Sequence, residues 1–179
     1  MKRLKLLLLV VVISISTKNT FAQISFSHTA GAAAYIADVA VLPAVVYSPR
    51  ANLLQLGSEA TVSLGTHLGF GFNYNTAGTD NYFGYELPVL AEINLGCGSS
   101  PDSDVGFGGF LGLGYGVNKM GASNSIGSVH NEASGIYVNG GIRAIINDQP
   151  LGLRVSYLMN NKVGFSDVIG LSFFYMLGE

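Results

Sequence analysis

The sequence predicts an all-β protein, a closed antiparallel transmembrane β-barrel of eight strands. Three observations predict it. Apolar residues alternate with small or polar ones over segments longer than the roughly 5–6 residues of a soluble strand and close to the ~9–11 of a membrane-spanning one. Charged residues make up 11% of the chain, well below the ~25% of an ordinary soluble domain. Beyond the N-terminal leader, no apolar run approaches the ~20 residues of a membrane helix. A chain whose outer surface meets lipid needs no coat of Lys and Glu.

The leader comes first. Basic "MKRLK", apolar "LLLLVVVISI" and then "STKNTFA" describe a cleavable export signal over residues 1–22, leaving a barrel domain over 23–179. Cleavage removes Lys2, Arg3, Lys5 and Lys18, so five basic residues face eleven acidic ones and the formal charge becomes −6. Such a chain has no general attraction for nucleic acid. One cysteine, Cys97, excludes an intramolecular disulfide framework.

The strands follow in order: 24–36, 40–50, 60–74, 83–96, 105–118, 134–147, 150–160 and 166–177. The first two alternate weakly. In 60–74, Val62, Leu64, Leu68, Phe70, Phe72 and Tyr74 oppose Thr61, Ser63, Gly65, His67, Gly69, Gly71 and Asn73. In 83–96, Tyr85, Leu87, Val89, Ala91, Ile93 and Leu95 oppose Glu86, Glu92 and Asn94. Leu151, Leu153, Val155, Tyr157 and Met159 oppose Gly152, Arg154 and Ser156. Ile169, Leu171, Phe173, Tyr175 and Leu177 oppose Gly170 and Ser172. Apolar faces outward and polar faces inward make an inside-out protein. The intervening 51–59, 75–81, 97–104, 119–132, 147–150 and 160–167 carry the Asn, Gly, Asp, Ser and Pro of turns. A very short connection falls at 37–39.

"VGFGGFLGLGYGVN" (105–118) tests the reading. A nucleotide loop needs G-x-G-x-x-G or G-x-x-x-x-G-K-[ST]. Leu111 stands where the third glycine is required, and no glycine here precedes Lys-Ser or Lys-Thr. Alternation explains the stretch instead. Phe107, Leu111, Leu113, Tyr115 and Val117 face lipid, while Gly106, Gly108, Gly112, Gly114 and Gly116 face a lumen just wide enough for side chains. Bare positions there make room for Phe110, Tyr137, Arg143 and Arg154. Sliding the arginine strands by one residue would put Arg143 or Arg154 into hydrocarbon at ~2–4 kcal/mol each.

These strands, the "TFAQ" leader end and the aromatic final strand "VIGLSFFYML" resemble the small outer-membrane β-barrels of Gram-negative bacteria, the OmpA/OmpX-like and opacity-like group, and most closely the Bacteroidota versions. The chain departs from that pattern by running past Tyr175 to "MLGE". The resemblance implies an outer-membrane location with both termini in the periplasm. Its implied partners are outer-membrane lipid and lipopolysaccharide, and the barrel assembly machinery that reads the last strand.

The candidate site is a structural lumen network of Arg50, His67, Glu86, Glu92, Arg143 and Arg154, in which burial demands pairing. No metal site is assigned, because no pair among His28, His67 and His130 has ligand spacing; no catalytic site is assigned, because one histidine among many serines does not make a triad; no cofactor site is assigned. The functional expectation is a non-enzymatic membrane barrel displaying loops 75–82, 119–133 and 160–167. The longest, 119–133, is the candidate for an extracellular partner, and Lys119 is expected to be open to trypsin. The alternatives are a lipid acyltransferase or deacylase using His67 or His130, a narrow solute channel, or a soluble barrel with an apolar ligand.

Overall fold

The computed structural model describes residues 24–38, 40–73, 82–124 and 127–178. The leader, loop 75–81 and Tyr74 lie outside the described residues, as does the side chain of His130. Nine strand segments form one antiparallel sheet: β1 (Ser25–Ala37), β2 (Ala40–Gln55), β3 (Ala60–Thr66), β4 (Leu68–Asn73), β5 (Tyr82–Gly96), β6 (Phe107–Asn124), β7 (Gly127–Ile146), β8 (Gln149–Asn160) and β9 (Val168–Gly178). β3 and β4 are one stave interrupted at His67. β1 pairs with both β2 and β9, so eight staves close and no edge is left.

The interruption has a local cause. On either side of the break, Thr66 faces Val89 and Gly69 faces Glu86, which brings His67 opposite Pro88. On the other flank, Gly65 faces Arg50 and Leu68 faces Tyr47, which brings Thr66 opposite Pro49. Two prolines without N–H groups therefore meet the stave at the same place. The Thr66 hydroxyl donates to the Pro88 carbonyl at 2.5 Å.

Closure can be read from the register. Starting at Ser25, partners run through Asn52, Ser63, Glu92, Gly112, Asn139, Ser156 and Gly170 and return to β1 at Tyr35, ten residues along. A stagger of ten over eight staves corresponds to a tilt of about 40°. The whole row faces the lumen.

Outside, Phe107, Leu111, Leu113 and Tyr115 are all more than half exposed, as are Leu153, Val155 and Met159, while Arg154 and Ser156 between them are buried. Phe107 to Val117 runs roughly 34 Å along the strand, or roughly 25 Å tall at that tilt, the height of a lipid-facing belt. Gly106 departs from the expected inward set: it lies before β6 and is exposed.

Three expected connections differ. Segment 51–59 is strand as far as Gln55, because a bulge between Asn52 and Leu54 shifts the inward–outward alternation. Segment 119–133 is not a loop. β6 and β7 stay paired through Lys119↔Glu132 to Asn124↔Gly127, so Lys119 sits in a ladder. Above the apolar belt no face of a hairpin needs to be apolar, so period-two hydrophobicity fades while pairing continues. Segment 97–104 folds back over the barrel end: Cys97, Ser99 and Ser100 are buried. The 147–148 turn has Asn147 and Asp148 at φ 50° and 61°, the doubly left-handed form that suits a two-residue hairpin.

Candidate functional site

Among the described residues the expected charged groups converge in the lumen, and its packing begins with glycine. Several of the largest inward side chains have a bare position on an adjoining stave. Arg143 lies between Gly108 and Gly152, and Phe174 between Gly152 and Gly31. Phe110 lies beside Gly141, Tyr137 beside Gly114, and Tyr35 beside Gly170. A Cβ on Gly141 would stand 2.6 Å from Phe110 Cζ, and one on Gly116 would stand 2.9 Å from Tyr137 Cδ2. Such separations are shorter than a packed interior tolerates.

Arg50, His67, Glu86, Glu92, Arg143 and Arg154 are all buried in the lumen. They fall into three groups rather than one network. At the end holding the termini, Arg50 Nη1 and Arg143 Nη2 both donate to Asn94 Oδ1, at 3.0 and 2.8 Å. Asn94 Nδ2 donates in turn to Ser63 Oγ at 2.9 Å. Both guanidiniums also donate to the Gly98 carbonyl of the folded-back segment, Arg143 at 3.1 Å. Thr61 Oγ1 fastens the same segment at the Ser99 carbonyl, 2.7 Å away. Gly96 and Gly98, at φ 66° and 63°, supply the left-handed backbone that turns the segment inward.

In the middle, His67 Nε2 lies 3.3 Å from Glu92 Oε1 and 2.8 Å from Asn139 Nδ2, and Asn139 Nδ2 donates to Glu92 at 2.7 Å. Asn139 reaches Glu92 over Gly112, which stands between them in the register. Arg154 Nη1 donates to Ser48 Oγ at 3.1 Å, and its guanidinium lies 4.9 Å from the Phe174 centroid and 5.5 Å from that of Phe110. Arg143 covers Phe110 at 4.4 Å. Cations over ring faces offset part of the cost of leaving water.

Toward the other end the interior becomes apolar. Tyr35, Leu42, Val46, Leu90, Met120, Tyr137, Leu158 and Val168 form one buried cluster. Glu86 is set into it, accepting from Tyr137 Oη at 2.9 Å and Asn118 Nδ2 at 3.2 Å.

Expected pairing of opposite charges therefore takes a different form for two of the arginines. Among the described residues, Arg143 and Arg154 reach amide, carbonyl and hydroxyl oxygens and ring faces, and Glu86 is held by neutral donors. Among the described residues, His67 and Glu92 make a direct contact between titratable lumen side chains, ionic only when the imidazole is protonated. Reasoning from charge missed Asn94 and Asn139 as bridging groups and Asn118 as a donor to Glu86, although each lies on inward parity. It also missed the Gly98 carbonyl, because nothing in "CGSSPDSD" marks a segment that folds back inside.

His67 is 3% exposed. A general base needs a reacting group within reach, and here the side chain is packed among Glu92, Asn139 and a tilted Tyr137 ring 6.4 Å away. Among the described residues, no group of three His, Cys, Asp or Glu side chains is placed to hold a metal ion.

No protein-family model matches the chain, and no curated protein matches it significantly. Solved structures do match. Ail, the attachment invasion locus protein of Yersinia pestis, is 11% identical with a TM-score of 0.56, over 85% of this chain and 97% of its own. Neisserial surface protein A is 15% identical with a TM-score of 0.51, over 86% and 96%. The N-terminal β-barrel domain of Pseudomonas aeruginosa OprF is 13% identical with a TM-score of 0.51, over 87% and 100%. At these identities the likeness is one of fold, a closed eight-stave antiparallel barrel.

Proposed function

We propose that the chain is a non-enzymatic integral protein of a Gram-negative outer membrane, in which the filled lumen serves as structural core and the end opposite the termini is displayed at the cell surface. One observation carries this reading: the exterior is a continuous apolar belt while the charged groups are buried inside. Each inward arginine would cost several kcal/mol if left without partners, so the lumen bonds serve closure of the barrel before anything else. The export leader and the glycine/aromatic strands support a Bacteroidota-type member. The final strand, Ile169 to Leu177 on its lipid face, suits reading by the assembly machinery, and the belt suits contact with outer-membrane lipid and lipopolysaccharide.

The β6–β7 hairpin is the candidate surface for an extracellular partner. It runs from Val117 at the top of the belt to Asn124, roughly 20 Å of further strand. An epitope inserted at 125–126 should bind antibody on intact cells, and labelling only after lysis would refute the display. In planar bilayers, the filled lumen predicts no steady conductance of porin size. Such a conductance would favour the solute-channel reading. Unaltered lipid A in a His67→Ala, His130→Ala strain is expected, and altered lipid A would favour the lipid-modifying enzyme.

A further inference from the structure

The turn joining β8 to β9 begins by folding outward over the barrel wall, and Ser166 then ties it to the inward Asn131. Asn161 N donates to the Ser134 carbonyl at 3.0 Å, and Ser134 Oγ donates to Asn161 Oδ1 at 3.2 Å. Ser134 lies on the outward parity of β7, yet it is buried. The turn covers it. Lys162 Nζ lies 3.6 Å from Glu132 Oε2, and Lys119 Nζ 2.7 Å from Glu132 Oε1, both on the outward face.

The turn is also held rigidly. Asn160 Nδ2 donates to the carbonyls of Lys162 at 2.8 Å and Phe165 at 2.7 Å, and Asn160 N donates to Asp167 Oδ1 at 2.8 Å. Tyr157, an outward residue of β8, donates its hydroxyl to Asp167. Ser166 N donates to Asn131 Oδ1 at 2.8 Å. These bonds fix what the turn presents, and what it presents is apolar: Val163 is 99% exposed and Phe165 37%. Phe165 borders a depression shared with Ile36, Tyr157 and Ile169, three residues at the upper margin of the lipid-facing belt.

We propose that the 161–167 turn is a membrane-interface anchor, inserting Val163 and Phe165 into the headgroup and upper acyl region of the outer leaflet. This rests on the outer-membrane reading above. Phe165 adjoins the belt through that depression, so lipid is the occupant that the adjoining surface already meets. Lys119 and Lys162 stand beside it, where long cationic side chains extend toward lipid phosphates. With Glu132 the trio keeps one net positive charge, while Asp38 and Asp167, which line the depression beside Phe165, are held by the Ser166 and Tyr157 hydroxyls. A rigid turn keeps Val163 at one depth, where a mobile loop would sample water.

The chain has no tryptophan, so single-tryptophan variants report cleanly. Val163→Trp changes a side chain in open surroundings, and Leu113→Trp, 61% exposed in mid-belt, is the reference. Each is refolded into phosphatidylcholine vesicles brominated either near the headgroup or near the chain end, and probed separately with aqueous acrylamide. Leu113→Trp should be quenched by bromine in either position and shielded from acrylamide. Val163→Trp should emit toward the blue, lose most of its emission to shallow bromine and less to deep bromine, and resist acrylamide. If Leu113→Trp behaves so while Val163→Trp emits as in water and is quenched freely by acrylamide, the anchor is refuted and the membrane reading stands. A Leu113→Trp probe untouched by brominated lipid overturns both.

Discussion

Glycine 112 carries the sharpest energetic consequence of the lumen packing. It stands between Glu92 and Asn139, and the 2.7 Å bond from Asn139 Nδ2 to Glu92 Oε1 passes over it. In Gly112→Ala, the new Cβ would lie 2.7 Å from Leu90 Cδ1 and 2.8 Å from Glu92 Cγ, and would collide with Asn139 Oδ1. Overpacking of this kind costs about 1–3 kcal/mol. Displacing Asn139 also weakens a bond to a charged group worth about 1.5–3 kcal/mol. Against these stands the gain of about 0.5–1 kcal/mol from removing a glycine within a strand. The net expectation is a loss of about 2–5 kcal/mol. Gly109, three residues earlier on the outward face, is the control: its added Cβ would meet only the Gly141 carbonyl, at 3.3 Å. Gly109→Ala should therefore cost much less than Gly112→Ala. Urea unfolding in lipid vesicles, followed by the gel mobility of the folded form, measures both. Gly112→Ala unfolding at the same urea concentration as Gly109→Ala, or higher, would refute the packing argument.

Removing the carboxylate that holds His67 and Asn139 should cost about 3–5 kcal/mol in Glu92→Leu and less in Glu92→Gln, seen as ordered shifts of the same urea midpoint. Arg143→Met removes one of the two guanidiniums that hold the Gly98 carbonyl, so the fold-back segment should loosen. Cys97, 3% exposed, should then react with maleimide many times faster than in the wild type. Asp167, in the turn beyond the belt, has its carboxyl held below the usual range by the Tyr157 hydroxyl and then by the Asn160 amide. A lowered folded value means that the turn's added order is present above the ordinary carboxylate pKa of about 3.9 and is lost as pH falls through the lower folded value. Amide exchange at Asn160 should accelerate only on that acid side, and Asp167→Asn should remove the dependence.

The sequence made the barrel legible where its two faces differ chemically. Over β5 and β8, Val89, Ile93, Leu153 and Val155 alternate with Glu92, Asn94, Arg154 and Ser156, and the structure keeps that parity. It was weak over β1 and β2 for a physical reason. Their upper halves pack Tyr35, Leu42 and Val46 into the apolar interior while Ile36, Val41 and Val45 face outward, so both faces are apolar and period two vanishes. The β6–β7 extension was hidden in the opposite way, because Gly, Ser and Asn recur through 121–131 and apolar alternation stops above the belt while pairing continues. Register contacts are subtler still. That Asn94 bridges Arg50 and Arg143 follows from a stagger of ten, which alternation cannot supply. The break at His67 was written in Pro49 and Pro88, but only pairing brings those prolines to one place.

The central claim is a closed barrel held in a membrane by an apolar exterior. Its most direct test is heat-modifiability in membranes from expressing cells, solubilised in mild detergent and run on a gel with and without boiling. The account predicts that the protein stays with urea-washed membranes, and that its unboiled form migrates as a compact species that shifts on boiling. A protein recovered in the soluble fraction with one mobility under both conditions would contradict it.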